Sequence, residues 1–181
     1  MSDAVRKEIG RQPAEAELAA TTDGRWVLAM SRELPHPPER VWPRLTEPAL
    51  LHTWSPVVPD RPLDSPGPAR SRENPEDPWL DAEVLIADAP LELVHRWGDD
   101  LLRWTLTPTA AGCRLTLEHT FADRDGSAMY AAGWHICQAS LAARLDGDDS
   151  PRVAGAAARD HGWAELRDAY ATGGLISQDG V

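Results

Sequence analysis

What the chain lacks narrows its function quickly. Basic residues are scarce: 18 Lys and Arg stand against 29 Asp and Glu, a formal net charge of −11. Nucleic acids and anionic lipid surfaces are held by basic faces, so neither is an expected partner. The acidic excess reads as a solubility charge. No apolar run approaches the roughly 20 residues that cross a bilayer, and the first residues carry no apolar signal-peptide core. Membrane insertion is not expected, and the expected location is the cytoplasm. Only two cysteines are present, Cys113 and Cys137, too few for a disulfide framework and not in a Cys-x-x-Cys pair. Cys137 falls in an apolar helical pattern and reads as a small hydrophobe. There is no Gly-x-Ser-x-Gly elbow, which excludes an α/β-hydrolase, and no Gly-rich phosphate loop for nucleotide chemistry. No internal repeat is visible.

What is present reads as one domain of 181 residues, long enough to bury a core without staples. Residues 1–13 are expected as a flexible N-terminal arm closed by Pro13. Asp23-Gly24 lies between two extended segments and predicts a hairpin with strands near 15–21 and 25–34. Pro35, Pro37 and Pro38 then stop the sheet. In "PPERVWPRLTEPALLHTW", Pro38 and Glu39 suit a first helical turn. Val41, Trp42 and Leu45 share one helical face, and Pro48 opens a second short helix that Thr46 can cap. That second helix carries Leu50, Leu51 and Trp54. Residues 55–78 are proline-rich, which predicts irregular edge strands and a mobile loop.

The pattern then sharpens. "LDAEVLIAD", "LELVHRW", "DLLRWTLTP" and "CRLTLEHTF" are strand-length segments separated by tight turns, an antiparallel meander. From Ser127 the period becomes helical: Tyr130, Trp134, Cys137, Leu141 and Leu145 form one apolar stripe, with Asp125 or Ser127 as the starting cap. A second helical segment follows over 152–172. The expected organisation is therefore an arm over 1–13, one domain over 14–172 that includes the helical extension, and a loose tail over 173–181.

The order is strand, two short helices, antiparallel meander and long C-terminal helix. This predicts an α+β helix-grip fold, a curved antiparallel sheet wrapped around a long helix. The blocks "RELPHPPERVWPRLTEPALLHTWSP", "PLELVHRW", "GCRLTLEHTF" and "AAGWHICQASLAARLDG" together resemble the SRPBCC (START-like) superfamily. More narrowly, they are similar to its activator of heat-shock protein 90 ATPase homologue, C-terminal-domain-like group. The resemblance covers roughly residues 25–147. The proline-rich 55–78 segment and the 152–172 extension depart from it. It implies a cavity between sheet and long helix that takes apolar molecules, and in some relatives acts on them.

Alternation names the residues that would line such a cavity. Leu93, His95 and Trp97 share a face of one strand, Trp104 lies inward on the next, and Leu117 and His119 lie inward on the last. Tyr130 and Trp134 come from the helix, and Trp54 is placed at one end, as cavity wall or as plain core. Trp42 is assigned to packing the first short helix on the sheet. His95 and His119 could act as an acid/base pair, or could simply be hydrogen-bonded core histidines. With His135 they make no metal-ligand spacing, so no metal and no cofactor is expected. Glu118, Asp123 and Asp125 lack the pattern of a calcium loop, and Arg103 is expected to face solvent.

Three function classes remain. The first is a non-catalytic binder of a small apolar or amphipathic ligand. The second is an aromatase/cyclase- or hydrolase-like enzyme using His95, His119 or Tyr130. The third, ranked last, is a chaperone-associated stress protein. Self-association through the 152–172 helix, giving a homodimer, stays open.

Overall fold

The computed structural model describes residues 2–153 and 162–178. A seven-stranded sheet forms the frame. Its hairpin strands β1 (Ala16–Ala20) and β2 (Trp26–Leu34) turn at Asp23-Gly24, where Gly24 takes a positive φ of 83°. Two short helices follow, α2 (Pro38–Thr46) and α3 (Pro48–Leu51). After the proline-rich segment come β6 (Val84–Asp88), β7 (Glu92–Trp97), β8 (Asp100–Thr109) and β9 (Gly112–Phe121). The long helix α4 (Ser127–Leu145) follows. The strand order is β10-β1-β2-β9-β8-β7-β6, where β10 is Leu175–Gln178. All neighbours are antiparallel except β10 and β1. This is the expected α+β helix-grip arrangement.

The alternation in each strand sends one set of side chains onto α4. Leu28, Met30 and Leu34 of β2, Leu102, Trp104 and Leu106 of β8, and Leu115, Leu117 and Phe121 of β9 are all buried in one core. Glycine is required at the β8–β9 turn: a Cβ on Gly112 would lie 2.2 Å from the carbonyl oxygen of Leu34.

Several segments differ from the sequence expectation. Residues 3–11, expected as a loose arm, form helix α1 (Asp3–Arg11), with Ser2 accepting from the Val5 amide at 3.2 Å. What anchors it is polar. Arg32 occupies an inward place on β2, and its guanidinium pairs with the Glu8 carboxylate at 2.5 Å. It also donates to the Glu8 carbonyl at 2.9 Å and to Gln12 Oε1 at 2.8 Å. Val5 then packs on Ala139 and Ala143 of α4.

The tail differs as well. Residues 175–178 form β10, in register with β1 from Ala16↔Leu175. Gly174 lets the chain come that close, since a Cβ there would sit 2.2 Å from the Ala14 carbonyl oxygen. Of the expected 152–172 helix, residues 154–161 lie outside the described residues. Arg152 and Val153 are not helical, and from Trp163 the chain forms α5 (Trp163–Ala169) and then a wide turn over Tyr170–Gly174.

α4 was expected to carry a single apolar stripe. Instead 14 of its 19 residues are buried, because α1, Val153 and α5 cover the side turned away from the sheet. A helix with partners on both sides is apolar nearly all round. The caps also differ. Thr46 Oγ1 bonds back to the Trp42 carbonyl at 3.1 Å, and Glu47 takes the N-cap place of α3 without a side-chain bond. Asp123, not Asp125 or Ser127, caps the 3₁₀ turn (Arg124–Gly126) that leads into α4.

The proline-rich segment forms a small antiparallel sheet of β3 (Val58–Pro59), β4 (Arg70–Arg72) and β5 (Leu80–Asp81). Its loop is tied rather than free. The Arg61 guanidinium donates to the carbonyls of Pro62, Gly67 and Pro68 at 2.7–2.8 Å. Prolines leave carbonyls without strand partners, and one fork of donors gathers them.

The Glu8–Arg32 pair yields a prediction. Removing one partner leaves a buried uncompensated charge, a loss of about 3 kcal/mol or more. Glu8→Ala is therefore expected to lower stability by that order in urea unfolding. It should also raise amide exchange across residues 3–11 before the sheet is affected. Unchanged exchange in α1 would show that the ion pair is not its anchor.

Candidate functional site

The strand registers place the aromatic and imidazole groups in rows. Leu28, His119, Leu102 and His95 face one another across β2, β9, β8 and β7. The next row is Met30, Leu117, Trp104 and Leu93. Above them α4 lowers Trp134 and Tyr130. The rings interlock edge to face: Trp104 with Trp134 at 5.5 Å, Trp97 with Trp134 at 5.6 Å, and Trp54 with Trp104 at 5.8 Å. His119 lies 4.5 Å from the Tyr130 ring.

Among the described residues, each buried imidazole is bonded at both nitrogens. His95 Nε2 accepts from the Trp104 indole N–H at 3.3 Å, and its Nδ1–H donates to the Arg96 carbonyl at 2.9 Å. His119 Nδ1 accepts from the Trp134 indole at 3.1 Å, and its Nε2–H donates to Asp100 Oδ2 at 3.0 Å. His135 Nε2–H donates to the Ile9 carbonyl at 3.0 Å, and its Nδ1 accepts from the Tyr170 hydroxyl at 2.9 Å. Indole can only donate, so the tautomers of His95 and His119 follow from their partners. With no ring nitrogen left open, neither can take a substrate proton without first breaking one of these bonds.

Burial sets the acidities. Desolvation pulls His95 down to about 4, against a smaller opposing effect of the Arg96 carbonyl. It pushes Cys137 up to about 12, which leaves an inert thiol. The Tyr130 phenol is raised by burial first and then by the nearby carboxylates of Asp100 and Asp123. Among the described residues no group of three or more His, Cys, Asp or Glu is placed to hold a metal. No helix among them is long and apolar enough to cross a membrane.

Open space lies beside this aromatic block. A cavity of about 160 Å³ opens where α4, the end of β7, α5 and the β4–β5 loop meet. Trp97, Tyr130, Trp134 and Trp163 give it four aromatic walls, Gly133 and Cys137 its floor on α4, and Glu73 is the one charged lining residue among those described. Of the nine residues named from the sequence, Trp97, Tyr130 and Trp134 line this cavity. Trp54, Leu93, His95, Trp104, Leu117 and His119 are packed into the core behind it. Trp54 is fully buried, its indole donating to the Arg44 carbonyl at 3.0 Å. Trp42 is buried on α2 in the same core.

Seven lining residues were not named for the site from the sequence: Pro56, Glu73, Met129, Gly133, Cys137, Val153 and Trp163. Trp163 and Val153 reach the cavity from the C-terminal segment, and Glu73 comes from the proline-rich stretch, where no period exists to orient it. Gly133 did leave a signal, a glycine inside the helical run "AAGWH".

The family model described as "Polyketide cyclase / dehydrase and lipid transport" matches residues 25–147. No curated protein matches the chain. Among solved structures, a conserved protein of unknown function from Enterococcus faecalis, EF2215, superposes with a TM-score of 0.73. It is 14% identical, over 93% of this chain and 95% of that one. CalU16 from Micromonospora echinospora gives 0.68 at 18% identity, over 87% and 96%. Protein MLL2253 from Mesorhizobium loti gives 0.58 at 25% identity, over 68% and 99%.

The depressed His95 makes a pH prediction. Its folded value of about 4 lies below the ordinary 6.5. The unfolded chain therefore binds the extra proton first as pH falls, and the contribution is complete above 6.5 and fades toward 4. The full shift corresponds to roughly 3 kcal/mol. His95→Gln keeps an acceptor for Trp104 but cannot titrate. The stability gap between wild type and variant, measured by urea unfolding, is expected to shrink between pH 7 and pH 4. A gap independent of pH would show that His95 is not buried in the neutral form.

Proposed function

We propose that this chain, which belongs to the polyketide cyclase / dehydrase and lipid transport family, binds a small hydrophobic or amphipathic ligand in the cavity beside Trp97 and Trp134. The size supports a modest ligand or the buried end of a longer one. A void of about 150 Å³ accommodates a benzene-sized molecule, and the cavity here is about 160 Å³. Its walls supply apolar and aromatic surface with few polar groups, the usual character of small-molecule sites.

The observation that carries this reading is Gly133. A glycine inside a helix costs about 0.5–1 kcal/mol relative to alanine. A Cβ at Gly133 would meet nothing within 4 Å, so no packing constraint forbids a side chain. The position faces the cavity, and leaving it bare keeps that volume open.

The family name also admits a cyclase reading, an aromatase/cyclase-like enzyme acting on the same ligand. Proton transfer would then fall to Tyr130 and Glu73, which line the cavity, because His95 and His119 are engaged at both nitrogens. The finer placement beside the heat-shock ATPase activators, and with it a chaperone-associated stress role, is supported by the sequence blocks alone.

Filling the space tests the proposal. Gly133→Ala is expected to raise stability by about 0.5–1 kcal/mol. Gly133→Leu is expected to melt no lower than wild type yet to bind toluene at least tenfold more weakly, read by tryptophan fluorescence and ligand-observed NMR. A stable Gly133→Leu protein that binds toluene as well as wild type would refute the cavity as the binding site.

A further inference from the structure

The ligand-binding reading above leaves the charge of the ligand open, and the cavity wall speaks to it. We infer that the ligand carries a positive charge, as an ammonium group on an apolar or aromatic body, held between the indole faces and Glu73. This inference rests on the proposed binding function and specifies its substrate class.

Three observations converge. The first is the lining: four aromatic rings, Trp97, Tyr130, Trp134 and Trp163, surround one space. Indole faces carry negative electrostatic potential and attract cations, quaternary ammonium groups among them. The second is the distribution of the protein's own cations. Guanidinium groups stand over Trp26, Trp79 and Trp163. Among the described residues none stands over Trp97 or Trp134, the two rings central to the cavity.

The third is Glu73, the single charged lining residue among those described. Its carboxylate makes no hydrogen bond or ion pair with any described residue. Burial holds its acidity weaker than usual, with Asp77 adding to the shift and Arg152 opposing it. Arg152 lies close by but gives its guanidinium hydrogens to neutral oxygens rather than to the Glu73 carboxylate. Its guanidinium donates to the carbonyls of Ser55 and Glu73 and to Asn74 Oδ1 at 2.9–3.1 Å. A half-buried carboxylate that lines the same cavity as the aromatic rings, with no hydrogen bond or ion pair to a described residue, is complemented by a cation and opposed by an anion. The net charge of −11 adds to the same preference at long range.

The test compares matched probes by titration calorimetry and tryptophan fluorescence. Benzyltrimethylammonium and neopentylbenzene share shape and differ in charge, and phenylacetate supplies the anion. The cation is expected to bind at least tenfold more tightly than neopentylbenzene, and phenylacetate more weakly than either. Glu73→Gln should bring cation and hydrocarbon to within about threefold of each other, by weakening the cation more than the hydrocarbon. If neopentylbenzene binds and the cation shows no advantage in the wild type, the charge inference falls and the binding function stands. If Glu73→Gln leaves the cation's advantage intact, the assignment to Glu73 is overturned. If no probe binds, neopentylbenzene included, both readings fall together.

Discussion

The interior depends on one repeated interaction: a buried imidazole that accepts a hydrogen from an aromatic side chain and passes its own to an oxygen. It occurs at His95 with Trp104, at His119 with Trp134, and at His135 with Tyr170. Indole and phenol donors buried without acceptors would each cost more than an ordinary hydrogen bond contributes. Imidazole solves this with a ring that is small, flat and able to donate on its far side. The His119 chain runs on through Asp100 to Arg25. A line of polar bonds thus joins α4 to the sheet through an otherwise apolar layer. Such networks are stabilising when their members are satisfied, and the three imidazoles are bonded at both nitrogens, while Arg25 at the outer end keeps a buried Nε without a partner among the described residues.

Satisfying Trp104 and Trp134 in this way lets both be buried against the core. Trp104 closes on both Trp54 and Trp134, filling what would otherwise be the middle of the space between sheet and helix. The open volume is displaced to the end of the block, where Trp97 and Tyr130 are only half buried and α4 presents a glycine. The outer side of α4 is covered by α1 and α5, so the helix is held from both sides while its two ends of contact differ in character. One part is sealed by alanines against α1. The other, around Tyr130 to Cys137, borders the cavity.

The frame was legible because period and burial coincide in it. In "CRLTLEHTF" every second residue is apolar or imidazole, and every second residue is buried. The Asp23-Gly24 turn and the proline that opens each short helix are local signals that need no tertiary partner. Where the reading missed, the deciding contact was distant in the chain. Helix α1 is secured by Arg32, and β10 by β1, and neither partner can be inferred from the polar composition of 1–13 or 173–181. Arg32 did leave a trace: a charge on the inward face of "WVLAMSREL" demands a counter-charge, without saying which one. The site was legible in part. Alternation identifies which side chains turn inward, and so named Trp97, Tyr130 and Trp134. It does not say whether their neighbours fill the space between them, because a void depends on summed volumes and not on any one residue.

The parallel pairing of β10 with β1 reaches beyond packing. β1 follows the N-terminal helix and β10 closes the described chain, and the two run side by side in the same direction over four registered pairs. A tension applied to the two ends would draw these strands past each other along their length. All their hydrogen bonds would then bear the load together instead of opening one after another, as they would if the strands were peeled apart. Once α1 has let go, the first and last strands act as a shear clamp. The fold is therefore built to resist pulling along the chain better than its short terminal elements suggest.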